Sequence, residues 1–473
     1  MCEVSVIVSL SHSGLCVVLL FFIHLLSLWR VCCLSVCLFV SEQTTRNQFI
    51  NMSSPMGHNL LDSTNPAAHH DDTRVADRTT NTTTHTSPAK QGLATPASGP
   101  CPRVRWCPHK PFSATRFAEY LSVSLAARQL TNGGPLQQVL ADKLASLTGS
   151  SRPIIPAASG TAALHALTAG WALHKGRPLR WATQAFTFPT SFQGPLAEAV
   201  VLDLDPAHWG PSLAGLDACC TNIDGIIVTN VFGYQADVAA YEAWCTAHGK
   251  LLLFDNAATA TGRLPDGRCV HDAGDGAIIS LHETKPLGRG EGGAVIVPDH
   301  AMARAVARAM NFGFDIPAGR RVGDRLASNY RMSDVAAAAA LDHLDTVVCK
   351  DWVGVMAVLA NYASASLRQA GFDTHLPLLH GRGALHACLF VKAPPGLTGE
   401  GVCSALCSLS GGIVEAKQYY RPLVDREAAP EAWRVYDGCV CLPLHVDMSA
   451  ADVDYMCTAL AGLADKENCA RAT

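Results

Sequence analysis

Past Cys101 the chain alternates short apolar runs with longer Ala- and Leu-rich segments whose apolar positions recur at helical spacing. The runs that read as strands are Ala199–Leu204, Gly225–Thr229, Leu251–Asp255, Ala277–His282 and Ala294–Val297, with a helical stretch at Asp237–His248. Most of these runs lack polar alternation, as expected of strands covered on both faces inside a sheet flanked by helices. The pattern predicts an α/β region with a mostly parallel sheet over residues 101–346. A smaller α+β region is expected over 347–473, with strands at Ala387–Val391 and Cys439–Leu442 and helices near Gly401–Leu409 and Ala450–Leu463.

Upstream the texture differs. No charged side chain occurs from Val4 to Trp29, and a second apolar run, Val31–Val40, follows Arg30. Such runs are apolar enough to enter a bilayer. The acidic Glu3 at the start fits a membrane anchor or an erroneous gene start better than a cleaved signal peptide. Residues 41–100 are rich in Thr, Asn, Ser, His and Pro and read as a disordered linker, because they hold too little apolar area to offset ordering. Asn51 and Asn81 head glycosylation sequons that matter only if this segment faces a secretory lumen.

Composition narrows the function classes. With 49% apolar and 16% charged residues the chain is globular in character. A formal charge of −4 and the absence of a basic run argue against a nucleic-acid partner. Of 19 cysteines, five fall in the first forty residues and none forms a CxxC pair. Cys219, Cys220, Cys403, Cys407, Cys439 and Cys441 lie in helix- or strand-like stretches, where a thiol behaves as a small hydrophobe, so no metal site is expected.

Candidate chemistry gathers where apolar runs end. Asp255 closes Lys250-Leu-Leu-Leu-Phe-Asp, at the carboxyl end of a predicted parallel strand, where ligands of open α/β sheets collect. An acid there can hold a pyridine nitrogen protonated; it can equally cap a helix or form a turn. Ser280-Leu-His-Glu-Thr-Lys-Pro leaves the next run, with Lys285 in a loop followed by Gly288, Gly290, Gly292 and Gly293. Alone, Lys285 reads as a solvated loop residue, but Ser280 offers a hydroxyl to a phosphate and the glycines permit close backbone approach. Ser159-Gly-Thr-Ala-Ala-Leu opens a helix whose free N–H groups favour an anion, or is an ordinary cap. Phe188, in Thr187-Phe-Pro-Thr, can stack on a flat ring or fill a core.

In order and spacing these segments resemble the DegT/DnrJ/EryC1/StrS family of pyridoxal-phosphate (PLP) sugar aminotransferases, from about Thr131 to Leu423. The likeness starts at Thr131-Asn-Gly-Gly-Pro and includes Val231-Phe-Gly-Tyr-Gln-Ala-Asp, Asp255-Asn-Ala-Ala-Thr, Gly290-Glu-Gly-Gly-Ala, Asn329-Tyr-Arg-Met-Ser-Asp and Tyr419-Tyr-Arg-Pro-Leu. It implies a fold-type I PLP transferase, with a large cofactor-binding domain and a smaller C-terminal domain. It further implies that Lys285 carries PLP as a Schiff base, Asp255 pairs with the pyridine nitrogen and Phe188 stacks on the ring. Gly160, Thr161 and Ser280 match phosphate-binding positions, and Asn329 matches an asparagine that reaches the phosphate of a neighbouring subunit, which implies a homodimer.

The reaction so implied moves an amino group from glutamate to a nucleotide-linked keto sugar. Because those substrates and the cofactor are cytosolic, a cytoplasmic catalytic part is expected, with membrane contact only through residues 1–40. Arg331 and Arg421 are candidates for binding the donor carboxylates. Two departures from the family's common pattern, Asn256 after Asp255 and Pro286 after Lys285, bear on which sugar is aminated. The competing readings are a related dehydratase, in which histidine replaces the lysine, and a non-catalytic PLP-binding sensor or scaffold.

Overall fold

The computed structural model describes residues 103–315, 318–319, 323–372, 388–409 and 412–472. The hydrophobic segment 1–40 and the linker 41–100 lie outside the described residues. Among those described, no helix is long and apolar enough to cross a membrane.

The elements run α1 (Ala114–Ala126), α2 (Pro135–Thr148), β1 (Ile154–Ala157), α3 (Gly160–Lys175), β2 (Trp181–Gln184), β3 (Val200–Leu202), α4 (Leu213–Cys219), β4 (Gly225–Thr229), α5 (Val238–His248), β5 (Leu251–Asp255), β6 (Gly276–Ser280), β7 (Gly293–Ile296) and α6 (His300–Met310). There follow α7 (Asp334–Cys349), α8 (Trp352–Gln369), β8 (Leu389–Lys392), α9 (Gly399–Leu406), α10 (Pro430–Asp437), β9 (Cys439–Leu442) and α11 (Ala450–Ala472). Seven strands form one sheet in the order β1-β7-β6-β5-β4-β2-β3. β3, β2, β4, β5 and β6 are parallel, whereas β7 runs antiparallel to both β6 and β1. The sheet is thus mostly parallel, and a separate antiparallel pair, β8-β9, forms the α+β part.

Alternate residues of the central strands feed two different layers. Leu252 and Phe254 of β5 and Ile226 and Val228 of β4 enter one core, while Leu253 and Ile227 enter the other. Period-two geometry makes a wholly apolar strand the right sequence for a sheet with a helical layer on each side. The second layer is built on α3, whose residues from Ala162 to Ala172 are all buried. Ser159 starts α3 by accepting the Ala162 N–H, and Gly176 ends it in the left-handed region at φ 70°. The apolar core of the other layer runs from Leu341 in α7 through Leu389 and Val440 to Leu460, on both sides of residue 346. α7 itself crosses 346–347 without a break, since its Ala-rich stretch meets no helix breaker before Lys350.

Two strands are absent from the apolar pattern for visible reasons. β1 is short, carries Pro156 and sits at a sheet edge, the position where a strand tolerates proline. β2 is buried throughout yet ends in Thr183-Gln184. The Gln184 amide is satisfied by Thr229, donating to its carbonyl at 2.7 Å and accepting its N–H at 3.1 Å. The cysteines correct one expectation. Cys403, Cys439 and Cys441 are buried, but Cys219 and Cys220 are half-buried and Cys407, at the α9 C-cap, is exposed.

Candidate active site

The carboxyl ends of the parallel strands open on a cavity of about 450 Å³ whose lining includes Gly160, Thr161, Phe188, Asp255, Ser280 and Lys285. Six of the seven site residues read from the sequence therefore converge on one cavity, although 126 positions separate Ser159 from Lys285 in chain order. Asn329 does not join them. It is exposed and pairs with Asn311 in an isolated bridge on this chain's surface.

Asp255 ends β5 and is 3% exposed. Its carboxylate accepts the Ala257 N–H at 3.0 Å, the turn geometry an Asp at a strand end favours. Burial pushes its pKa up, opposed by that N–H and by the Lys285 charge. Lys285 lies in the loop between β6 and β7, half-buried, and among the described residues its Nζ has no hydrogen-bond partner. Burial lowers its pKa, with Asp255 opposing the shift. Desolvation is the leading cause of both shifts, and in each the charge of the other group opposes it.

Opposite them α3 presents its N-terminus. Gly160 and Thr161 are its first residues, and their N–H groups have no carbonyl four positions back within the helix. A Cβ on Gly160 would meet the Ser280 side chain at 3.1 Å, and one on Gly293 would meet the Ser159 carbonyl oxygen at 2.5 Å. Glycine at these two positions lets β6, β7 and the α3 N-terminus close into a cradle. The Thr161 hydroxyl is held 2.9 Å from that of Thr190. Phe188 is 53% exposed, its ring bared to the cavity and edge-on to Tyr420 at 5.9 Å. Trp106, Phe232, Tyr419 and Tyr420 add apolar wall.

These groups fit PLP: a half-buried amine with no hydrogen-bond partner among the described residues for the aldehyde, a buried carboxylate for the ring nitrogen, a helix N-terminus with hydroxyls for the phosphate, and an aromatic face. Arg331 and Arg421 do not line the cavity. The Arg331 guanidinium bonds the Asn311 side chain and lies 5.0 Å from the Phe312 ring centre, and Arg421 lies 5.5 Å from that of Trp433. Sequence reasoning had no signal for Trp106 or Cys388 as lining residues; each comes from a segment whose local pattern is that of core or loop.

The departure at Asn256 has a structural account. Asn256 accepts from the Asn230 amide at 2.6 Å and donates to His271 Nδ1 at 3.1 Å, while His271 Nε2–H donates to the Ala260 carbonyl. All three side chains are fully buried, and the ladder ties the β5 turn to the segment before β6. It requires neutral His271, whose pKa burial lowers to about 4. The unfolded chain binds the His271 proton near pH 6.5 and the folded chain only near 4, so stability falls as pH drops through that window. His271→Gln is expected to lose less stability than the native chain between pH 7 and 4.5, by up to about 3 kcal/mol. Denaturant midpoints at the two pH values check this, and equal losses would rule the ladder out as an acid-sensitive element.

Comparison with known proteins bears on the fold and the family. A family profile described as the DegT/DnrJ/EryC1/StrS aminotransferase family matches residues 113–461. The chain is 25% identical over 376 residues to the dTDP-4-amino-4,6-dideoxy-D-glucose transaminase of Shigella dysenteriae, covering 72% of this chain and 93% of that protein. It is 30% identical over 205 residues to the L-glutamine:2-deoxy-scyllo-inosose aminotransferase of Streptoalloteichus tenebrarius, covering 40% and 47% of the two chains. Among solved structures, DesI, crystallised in the presence of its TDP-sugar product, superposes with a TM-score of 0.67 at 24% identity, covering 80% of this chain and 97% of that one. The sheet order, the cavity at its carboxyl edge and the extent of the profile match lead to one conclusion: the chain belongs to the DegT/DnrJ/EryC1/StrS aminotransferase family.

Proposed function

We propose that the protein is a PLP-dependent aminotransferase that transfers the amino group of glutamate to the carbonyl carbon of a nucleotide-linked keto sugar. The observation that carries the reading is that Lys285, whose Nζ has no hydrogen-bond partner among the described residues, and buried Asp255 line the same cavity. When bound, PLP supplies the electron sink that stabilises negative charge at the carbon losing its proton.

The chain's own residues do the rest. Burial lowers the Lys285 pKa and so favours its neutral form; Lys285 Nζ would hold the cofactor and would be the group placed to move the proton at the donor Cα. Asp255 holds a proton on the ring nitrogen, where the partner charge offsets the cost of its own burial. The N–H groups of Gly160 and Thr161, with the Ser280 hydroxyl, hold the phosphate. Phe188 covers one ring face, and Trp106, Tyr419 and Tyr420 keep bulk water from the reacting carbon. Across the two halves the donor would leave as its 2-oxo acid and the sugar carbonyl carbon would gain the amine, the water taken up in the first half balancing the water lost in the second. Asn329 lies exposed outside this chain's own cavity, which is compatible with its serving a neighbouring subunit in a homodimer with shared sites. The catalytic part is then cytosolic, where nucleotide sugars and PLP are found. Lys285 stands where a dehydratase has histidine, which leaves the dehydratase reading unsupported.

A panel of nucleotide-linked keto sugars incubated with the protein, PLP and amino-¹⁵N-labelled glutamate or glutamine tests the reading. The expected product is a sugar bearing the label on one carbon, read by mass spectrometry. A sugar that has lost a hydroxyl and gained no nitrogen would replace transamination with dehydration.

A further inference from the structure

The loop that carries Lys285 is held by a lysine from the segment just ahead of the family match. Lys110 is 8% exposed, and its ammonium donates to the carbonyls of Glu283, Lys285 and Gly288 at 2.5, 2.7 and 2.5 Å. Three N–H donors meet three acceptors on a six-residue arc, and only the charged form has three to give. Burial lowers its pKa to about 8, which leaves it an ammonium ion at pH 7. The contact is reciprocal, because the Arg289 guanidinium returns from the far end of the same loop to the carbonyls of Lys110 and Pro111, at 2.6 and 2.7 Å.

The segment is itself anchored away from the loop. Val104 bridges Val414, the Trp106 N–H donates to Glu415, and the His109 N–H donates to Asp447. Lys110 is thus fixed at its base as well as its tip. By contrast, among the described residues the Lys285 side chain has no hydrogen bond of its own to set its place, so its position is inherited from the backbone of residues 283–288.

We infer that Lys110 is a positioning residue for Lys285, which fastens the backbone of the cofactor-lysine loop through its three carbonyls and is itself held by Arg289. The inference rests on the PLP reading for its catalytic consequence but not for the clamp. A misplacement of a reacting group by about 1 Å can cost roughly a hundredfold in rate. The cradle formed by Gly160, Thr161 and Ser280 is separate from the clamp, so phosphate holding is expected to survive its loss.

The test compares the full native chain with Lys110→Met, Arg289→Gln and the double variant. Amide hydrogen exchange of the cofactor-free protein is read over residues 283–290, with 251–255 of the sheet as internal reference. Expected are exchange at least about tenfold faster over 283–290 in each variant with 251–255 unchanged, and a double variant no worse than the worse single one, as for two sides of one contact. In the PLP-loaded protein kcat falls about ten- to a hundredfold while the KM for the amino donor stays within about threefold. If Lys110→Met loosens 251–255 as well, Arg289→Gln decides alone: local loosening of 283–290 supports the clamp. Unchanged exchange over 283–290 in a folded variant overturns it. Loss of kcat with equal rise in KM overturns the positioning role. An inactive native chain whose variants still loosen the loop would refute the PLP reading and leave the clamp standing.

Discussion

Lys285→Ala is expected to reduce amino transfer by about four orders of magnitude or more, the scale of deleting a group that is both nucleophile and proton carrier. Among the described residues no second lysine lines the cavity, and Lys110, near the loop, spends its three donors on backbone carbonyls. The phosphate cradle and the aromatic wall remain, so the variant still binds PLP, without a covalent link. Borohydride reduction followed by mass spectrometry separates the two states: the native chain retains a pyridoxyl mass on the peptide holding Lys285, and the variant retains none. A variant that keeps even a hundredth of native turnover would move the catalytic role to another residue.

Asp255→Asn is expected to lower kcat by about a thousandfold, the rate equivalent of roughly 4 kcal/mol for removing one partner of a buried charged pair. The amide fills the same space, and the turn is still supported by the asparagine oxygen accepting from Ala257. What it lacks is the negative charge that keeps a proton on the ring nitrogen. Covalent attachment at Lys285 persists, since attachment draws on the amine and the phosphate cradle. The two variants therefore part company: one loses the covalent link, the other keeps it and loses turnover. Single-turnover kinetics with glutamate check this, and an Asp255→Asn protein within tenfold of native would remove Asp255 from the chemistry.

Much of this site is legible without coordinates because its parts follow elements that apolar pattern reveals. β4 and β5 match their expected bounds, so the residue closing β5, Asp255, is located by the strand that precedes it. Lys285 and Ser280 are found by the same logic at the end of β6, helped by glycines that a compact cradle requires. The direction of β7 was not legible. An apolar run looks the same whichever way it runs, and the loop from β6 to β7 is long enough to permit either direction, so only the pairing with β6 and β1 shows the reversal. β2 stayed hidden because its buried Thr183 and Gln184 read as polar, although Gln184 is fully satisfied by Thr229. Lys110 was invisible for a deeper reason. A buried lysine is recognised by its acceptors, and these lie more than 170 positions away along the chain.

The most direct measurement is the visible absorption spectrum of the protein purified with PLP, taken before and after L-glutamate, beside Lys285→Ala. The account expects a yellow band that bleaches with glutamate in the native protein and never forms in the variant. A native protein with no such band, or a band that Lys285→Ala retains, would contradict it.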